Sequence, residues 1–265
     1  MHKAASSLLP GSGKRTEVHG WLHRNRINIL LLLLACTAAL TAGLRLMTPN
    51  LAEALADSLP GSWVRTSSEK VLAHLETGTL LASQRPLAEQ DALRDRFAAL
   101  NAAPEGAPPY RLLFRRNLAS DRMLLTLPGG EIIVTDQFMQ TVPDPAEQLA
   151  LLCHELGHLY YRHALRSAIE HNLFWLASAA FVGSSESSVR ALVNGLEHAD
   201  YGREHVLEAD RYALSMLRTN GLPARLLQDA IEHGQGPAGP AQIQRDPLTH
   251  RQYFNERIRA LQNLL

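Results

Sequence analysis

His154 and His158 stand four residues apart, with Glu155 directly after the first of them. Four residues advance an α-helix by one turn plus about 40°, so both imidazoles face one point in space. Two imidazoles converging there can hold a zinc ion. A carboxylate one position on can reach a water on the open side of that ion. The ion lowers the pKa of the water, the carboxylate takes its proton, and the hydroxide attacks a peptide carbonyl. The plainer reading is a pair of surface histidines on an amphipathic helix. The strong helical pattern around the motif, and Gly157 inside it where a neighbour can pack close, favour the metal site.

Tetrahedral zinc takes a third protein ligand, and the candidate region is 202–211 (GREHVLEADR), about fifty residues downstream. Other polar residues carry weaker signals. Arg162, His163 and Arg166 read as a solvated face, and His171, His198, His205 and His233 lack ligand spacing and read as surface positions. Glu204 and Glu208 form a charge pair of a kind that is usually solvated on a helix. Lys14-Arg15 between glycines suggests a phosphate loop only faintly, because no strand–helix unit follows.

The elements that must position these groups follow from periodicity. Pro145–His163 carries Leu149, Leu152, Leu156 and Leu159 at helical spacing. Asp200–Thr219 is a second strong helix, stopped by Asn220-Gly221 with Pro223 beyond. Upstream, Ser67–Gly78 and Pro86–Leu100 read as helices, and 48–66 and 103–109 as irregular. Tyr110–Arg115, Met123–Leu127 and Glu131–Thr135 read as strands, the last two joined by a Pro128-Gly129-Gly130 turn. The stretch 172–183 is apolar nearly all round but too short to span a bilayer, so it reads as a core helix. Ser187–Leu196 and Tyr253–Leu264 complete the helical set. The expected class is α+β, mostly α-helical, with a small β-sheet of about three strands.

The chain has 265 residues, 46% of them hydrophobic and 20% charged, with Lys+Arg 26 against Asp+Glu 26. That excludes a disordered chain and a disulfide-stapled miniprotein, and the zero net charge argues against nucleic-acid binding through bulk charge. Cys36 and Cys153 are not expected to pair. The charge is uneven: Lys3, Lys14, Arg15, Arg24 and Arg26 face Glu17 alone at the N-terminal end. Ile27–Leu44 then carries no charged side chain, and as a helix it measures about 27 Å, near the thickness of a bilayer core. The positive-inside rule keeps the basic leader in the cytoplasm and sends the rest across the membrane. A cleaved signal peptide and a buried core helix are the competing readings, although a polar leader of this length is long for a signal peptide.

Three words, LPGGEIIVTD (127–136), HELGHLYYRH (154–163) and EADRYALSML (208–217), stand in order within residues 85–262. In them the chain resembles the HtpX-like zinc metallopeptidases, which include the CAAX prenyl endopeptidases and periplasmic quality-control proteases. The resemblance implies a gluzincin-like domain with one Zn²⁺ per chain held by His154 and His158, and Glu155 as general base. It makes Asp210 the carboxylate that orients the first histidine. It also makes Glu131, Ile132, Ile133, Val134 and Thr135 an edge strand onto which a substrate peptide adds. Implied with it are polypeptide substrates, drawn from unfolded or misassembled envelope proteins. The implied organisation is a cytoplasmic leader 1–26, a transmembrane helix 27–47 in contact with lipid, a helical lead-in 48–84 and a metallopeptidase-like domain 85–265. The location is the bacterial inner membrane, with the catalytic domain periplasmic.

The chain departs from the family pattern in three places. The family's third ligand, a Glu four residues before Asp210, is Val206 here. Glu208 is the candidate substitute, although it and Glu204, each two positions away, lie about 200° round the helix from that site, whereas Asp210 is on the correct face and is the alternative. The family's C-terminal His-Pro, which stabilises the oxyanion, is matched by Asp246-Pro247, with His250 one turn on as the candidate stand-in. Met123-Leu124 replaces the usual Asn-Ala before the LPGG turn. Two readings therefore stay open: an active zinc endopeptidase, or a catalytically impaired relative acting as a membrane-anchored adaptor or chaperone-like protein.

Overall fold

Asp144 and Pro145 start the helix that carries the histidine pair. The Asp144 carboxylate accepts from the Ala146 N–H at 2.8 Å, and Pro145 fills the first turn, where no amide hydrogen is needed. The computed structural model describes residues 52–118, 122–170, 201–232 and 255–262. Its elements are α1 (Gly61–Gly78), β1 (Leu80–Ala82), α2 (Leu87–Ala98), β2 (Arg111–Asn117), β3 (Leu124–Thr126), β4 (Glu131–Thr135), α3 (Asp136–Thr141), α4 (Pro145–Tyr160), α5 (Arg203–Thr219) and α6 (Arg225–Glu232). Residues 52–58, 163–170 and 255–262 are helical as well. All of these belong to the unit Ala52–Leu265.

The sheet is mixed and has four strands in the order β1-β2-β4-β3. β2 and β4 run parallel, with Phe114 opposite Val134, while β1–β2 and β3–β4 are antiparallel. The β3–β4 hairpin turns through Pro128-Gly129-Gly130. Gly130 has φ 109°, and a Cβ there would stand 2.6 Å from the Pro109 carbonyl oxygen, so only glycine fits. Every residue of β4 is buried. Its side chains alternate between two cores: Ile132 and Val134 pack with Leu149, Leu152 and Leu156 of α4, and Ile133 packs with Val71, Leu72 and Leu75 of α1.

Several expectations are corrected. β4 is an interior strand, paired on both sides, so Glu131–Thr135 has no open edge for a peptide; the outer strand beside it is β3. The sheet gains β1, which is too short to show alternation. α1 begins at Gly61 rather than Ser67, and residues 52–58 are helical despite their Pro- and Ser-rich surroundings. α4 ends at Tyr160, three residues before His163, because Arg162 takes a left-handed conformation with φ 54°. Residues 1–26, the segment 27–47, the stretches 172–183 and 187–196, and Asp246 and His250 lie outside the described residues. Among the described residues no helix is long and apolar enough to cross a membrane.

α4 packs most extensively against α5, and Gly157 sets how close they come. A Cβ at Gly157 would lie 2.8 Å from the Ala209 Cα and 2.9 Å from its carbonyl oxygen. Neither is the movable end of a side chain. Gly157→Ala gains about 1 kcal/mol of helix propensity but must push two backbones apart, and overpacking of that kind costs about 1–3 kcal/mol. The expected result is a net loss of stability, read as a lower urea midpoint with the slope unchanged. A midpoint equal to or above wild type would show that the two helices yield freely.

Candidate metal centre

α4 buries every residue from Gln148 to Leu159, so its polar groups must find partners inside the protein. His154 and His158 are 0% and 1% exposed, and their Nε2 atoms face each other at 3.0 Å. On the far side of the first ring, Asp210 of α5 places Oδ1 2.7 Å from His154 Nδ1, a short contact that lies off the ring N–H direction. Asp210 is in turn gripped by Arg257, whose Nε and Nη2 donate to the two carboxylate oxygens at 2.8 and 2.6 Å. Burial works against the Asp210 charge. The Arg257 guanidinium and His154 outweigh it and hold the carboxyl well below the usual range. An ionised carboxylate can only accept, so Oδ1 beside Nδ1 favours the His154 tautomer with its proton on Nδ1, which leaves a lone pair on Nε2 toward His158.

Glu155 points toward the sheet. Its Oε2 accepts a short hydrogen bond from the Thr126 hydroxyl, at the end of β3. Burial raises its pKa above the ordinary carboxylate value, with His154 and Thr126 pulling the other way. Burial also pushes His158 well below the ordinary imidazole value, and neighbouring His154 and His163 add to this. The Tyr201 ring stacks on His158 with centroids 4.0 Å apart.

The donor set fits a zinc ion in part. Two buried imidazole nitrogens aimed at one another, one with its tautomer set by a carboxylate, are nitrogen donors of the type zinc takes. A third donor does not join them: among the described residues no group of three His, Cys, Asp or Glu side chains is arranged to hold a metal. Val206 is buried one turn before Asp210 on the same side of α5, and its isopropyl group offers no electron pair. Glu208 is not brought to the point between His154 and His158. Its Oε2 instead meets His163 Nε2 at 2.8 Å, with Arg166 Nη1 at 3.9 Å, because its position on α5 turns it away from the Asp210 face. Glu204 is exposed.

His163 corrects a further expectation. It is 0% exposed rather than part of a solvated face, and its Nδ1 meets His158 Nδ1 at 2.9 Å. His205 stacks on it at 4.3 Å and is half-buried, which lowers its pKa to about 4 through desolvation and the neighbouring His163. Residues that sequence reasoning passed over are Thr126, Tyr201 and Arg257. None has a local signal except Thr126, which ends the strand leading into the LPGG turn.

A search of curated proteins finds no match. Comparison with protein families matches residues 124–264 to peptidase family M48, over the stretch that contains β3, the histidine helix, Asp210 and Arg257. That match spans just over half of the sequence, and the chain belongs to peptidase family M48.

Proposed function

We propose that this chain is a membrane-anchored, zinc-dependent endopeptidase that cleaves unfolded or misassembled envelope proteins on the periplasmic side of the bacterial inner membrane. The observation that carries the reading is the 3.0 Å approach of His154 Nε2 and His158 Nε2 with Glu155 buried beside them. His154 and His158 are the residues to hold the metal. Bound zinc supplies Lewis acidity and a water of lowered pKa. The protein supplies the rest. Glu155, kept basic by burial, takes a proton from the attacking water and returns it to the leaving amine. The Thr126 hydroxyl fixes the rotation of the Glu155 carboxylate and ties it to the end of β3. An extended substrate then pairs with β3, the outer strand, rather than with β4.

Glu155→Gln is expected to lower casein cleavage by the full chain about 10²–10⁴-fold while leaving zinc content near one ion per chain. Cleavage that survives the change would remove Glu155 from the mechanism. For the anchor, Ile27–Leu44 is the support, and alkaline phosphatase fused after Leu265 should be active; an inactive fusion reverses the orientation.

A second reading, a metal-free adaptor that keeps the peptidase fold, is favoured by Val206 and by the missing third donor among the described residues. It predicts no stoichiometric zinc at neutral pH in a folded protein.

A further inference from the structure

His163 and Glu208 are absorbed by neither the metal site nor the sheet, yet they form a continuous chain with His158. Glu208 Oε2 lies 2.8 Å from His163 Nε2, His163 Nδ1 lies 2.9 Å from His158 Nδ1, and His158 Nε2 lies 3.0 Å from His154 Nε2. His163 reaches this place only because the chain breaks out of α4 at Arg162. A non-glycine residue in the left-handed region costs about 1–2 kcal/mol. The Arg162 guanidinium donates to the Ala56 carbonyl at 2.7 Å and so holds that turn in place. The stacked rings of His205 and Tyr161, at 4.3 and 5.4 Å, keep His163 from turning.

We propose that Glu208 and His163 are positioning residues that lock His158 in the tautomer with its proton on Nδ1, so that its Nε2 lone pair is presented to the metal. The proton count runs inward from the carboxylate. Ionised Glu208 can only accept, so His163 carries its single ring proton on Nε2 and leaves Nδ1 bare. A bare nitrogen 2.9 Å from another nitrogen needs a donor, and His158 Nδ1–H is the one available. A neutral imidazole has one ring proton, so His158 Nε2 is then bare. Asp210 does the same for His154 from the other side. Two carboxylates at opposite ends therefore aim two lone pairs at one another across 3.0 Å, an arrangement that only a cation or an added proton relieves. The purpose of the relay rests on the proposed reading of His154 and His158 as ligands; its geometry does not.

The test separates the two. The full chain, labelled with ¹⁵N-histidine and stripped of metal by a chelator, is studied by long-range ¹H–¹⁵N correlation, which reports the tautomer of each ring. The His158 signals are assigned by their loss in His158→Gln. Wild type is expected to show His158 protonated on Nδ1. His163→Leu removes the acceptor and should move His158 toward the Nε2–H form. His163→Asn, which puts a carbonyl oxygen near the lost Nδ1, should move it back. Where His163→Leu fails to fold, Glu208→Leu at the half-exposed end of the chain is expected to mix the two tautomers. Zinc affinity, titrated on the same samples, should fall about 10–100-fold in His163→Leu and recover in His163→Asn. His158 protonated on Nε2 in wild type, or a tautomer indifferent to His163→Leu, overturns the relay. Tautomers that shift as stated in proteins that never bind zinc uphold the relay and sink the metal reading.

Discussion

Val206→Glu is expected to raise zinc affinity at least about 100-fold, more than the 10–100-fold usually lost with a group that merely orients a ligand. Val206 is 3% exposed, and it shares the side of α5 that brings Asp210 to His154. A carboxylate there enters the space beside two imidazoles whose lone pairs already converge. Without metal the substitution is costly, since a buried carboxylate lacking a partner costs a few kcal/mol or stays protonated. With zinc at about 1,000 times its dissociation constant the folded state regains about 4 kcal/mol. The signature is thus a lower melting temperature than wild type in chelator and a larger rise on adding zinc. Val206→Gln shares the shape and the cost of burial but not the charge, and serves as the control. If the Glu and Gln variants respond alike to zinc, the vacant ligand position is not at 206.

Long periodic elements were readable from the chain, because α4 and α5 each repeat an apolar face over several turns. The same arithmetic that puts His154 and His158 on one face puts Glu208 off the Asp210 face, and the structure shows Glu208 bonded to His163. Strand order is different. Nothing local in EIIVT says which strands flank it, although five consecutive buried residues suit a strand covered on both faces better than an edge. Glu131 is the one charged residue in that run. In the structure its carboxylate is sealed in by the Ser68 hydroxyl at 2.7 Å and Arg111 at 2.8 Å. His163 is different: on a continued helix it would lie about 140° round the axis from His158, and no residue type announces the left-handed Arg162 that brings the two rings together. Arg257 lies 47 residues beyond its partner Asp210, a separation at which a single sequence carries no pairing signal.

Arg257→Leu is expected to be among the most damaging single changes in the domain. Arg257 and Asp210 are 3% and 0% exposed, and removing the guanidinium leaves the carboxylate, among the described residues, with only His154 beside it. Breaking a buried pair from one side costs about 3–5 kcal/mol, against about 0–1 for an exposed one. Domains of this size are stable by only about 5–15 kcal/mol, so a large share of the total is at stake. The loss should show in urea unfolding of the full chain. Adding Asp210→Asn to Arg257→Leu should return part of it, because the stranded charge is then gone. The double variant should not regain zinc affinity, since an amide no longer forces the His154 proton onto Nδ1. A cost under about 1 kcal/mol for Arg257→Leu would mean that water reaches the pair. The consequence follows from where Arg257 sits. The helical segment 255–262 is tied to the centre through the same carboxylate that sets the first imidazole, so stability and ligand geometry fail together there, whereas at Glu155 only the chemistry is lost.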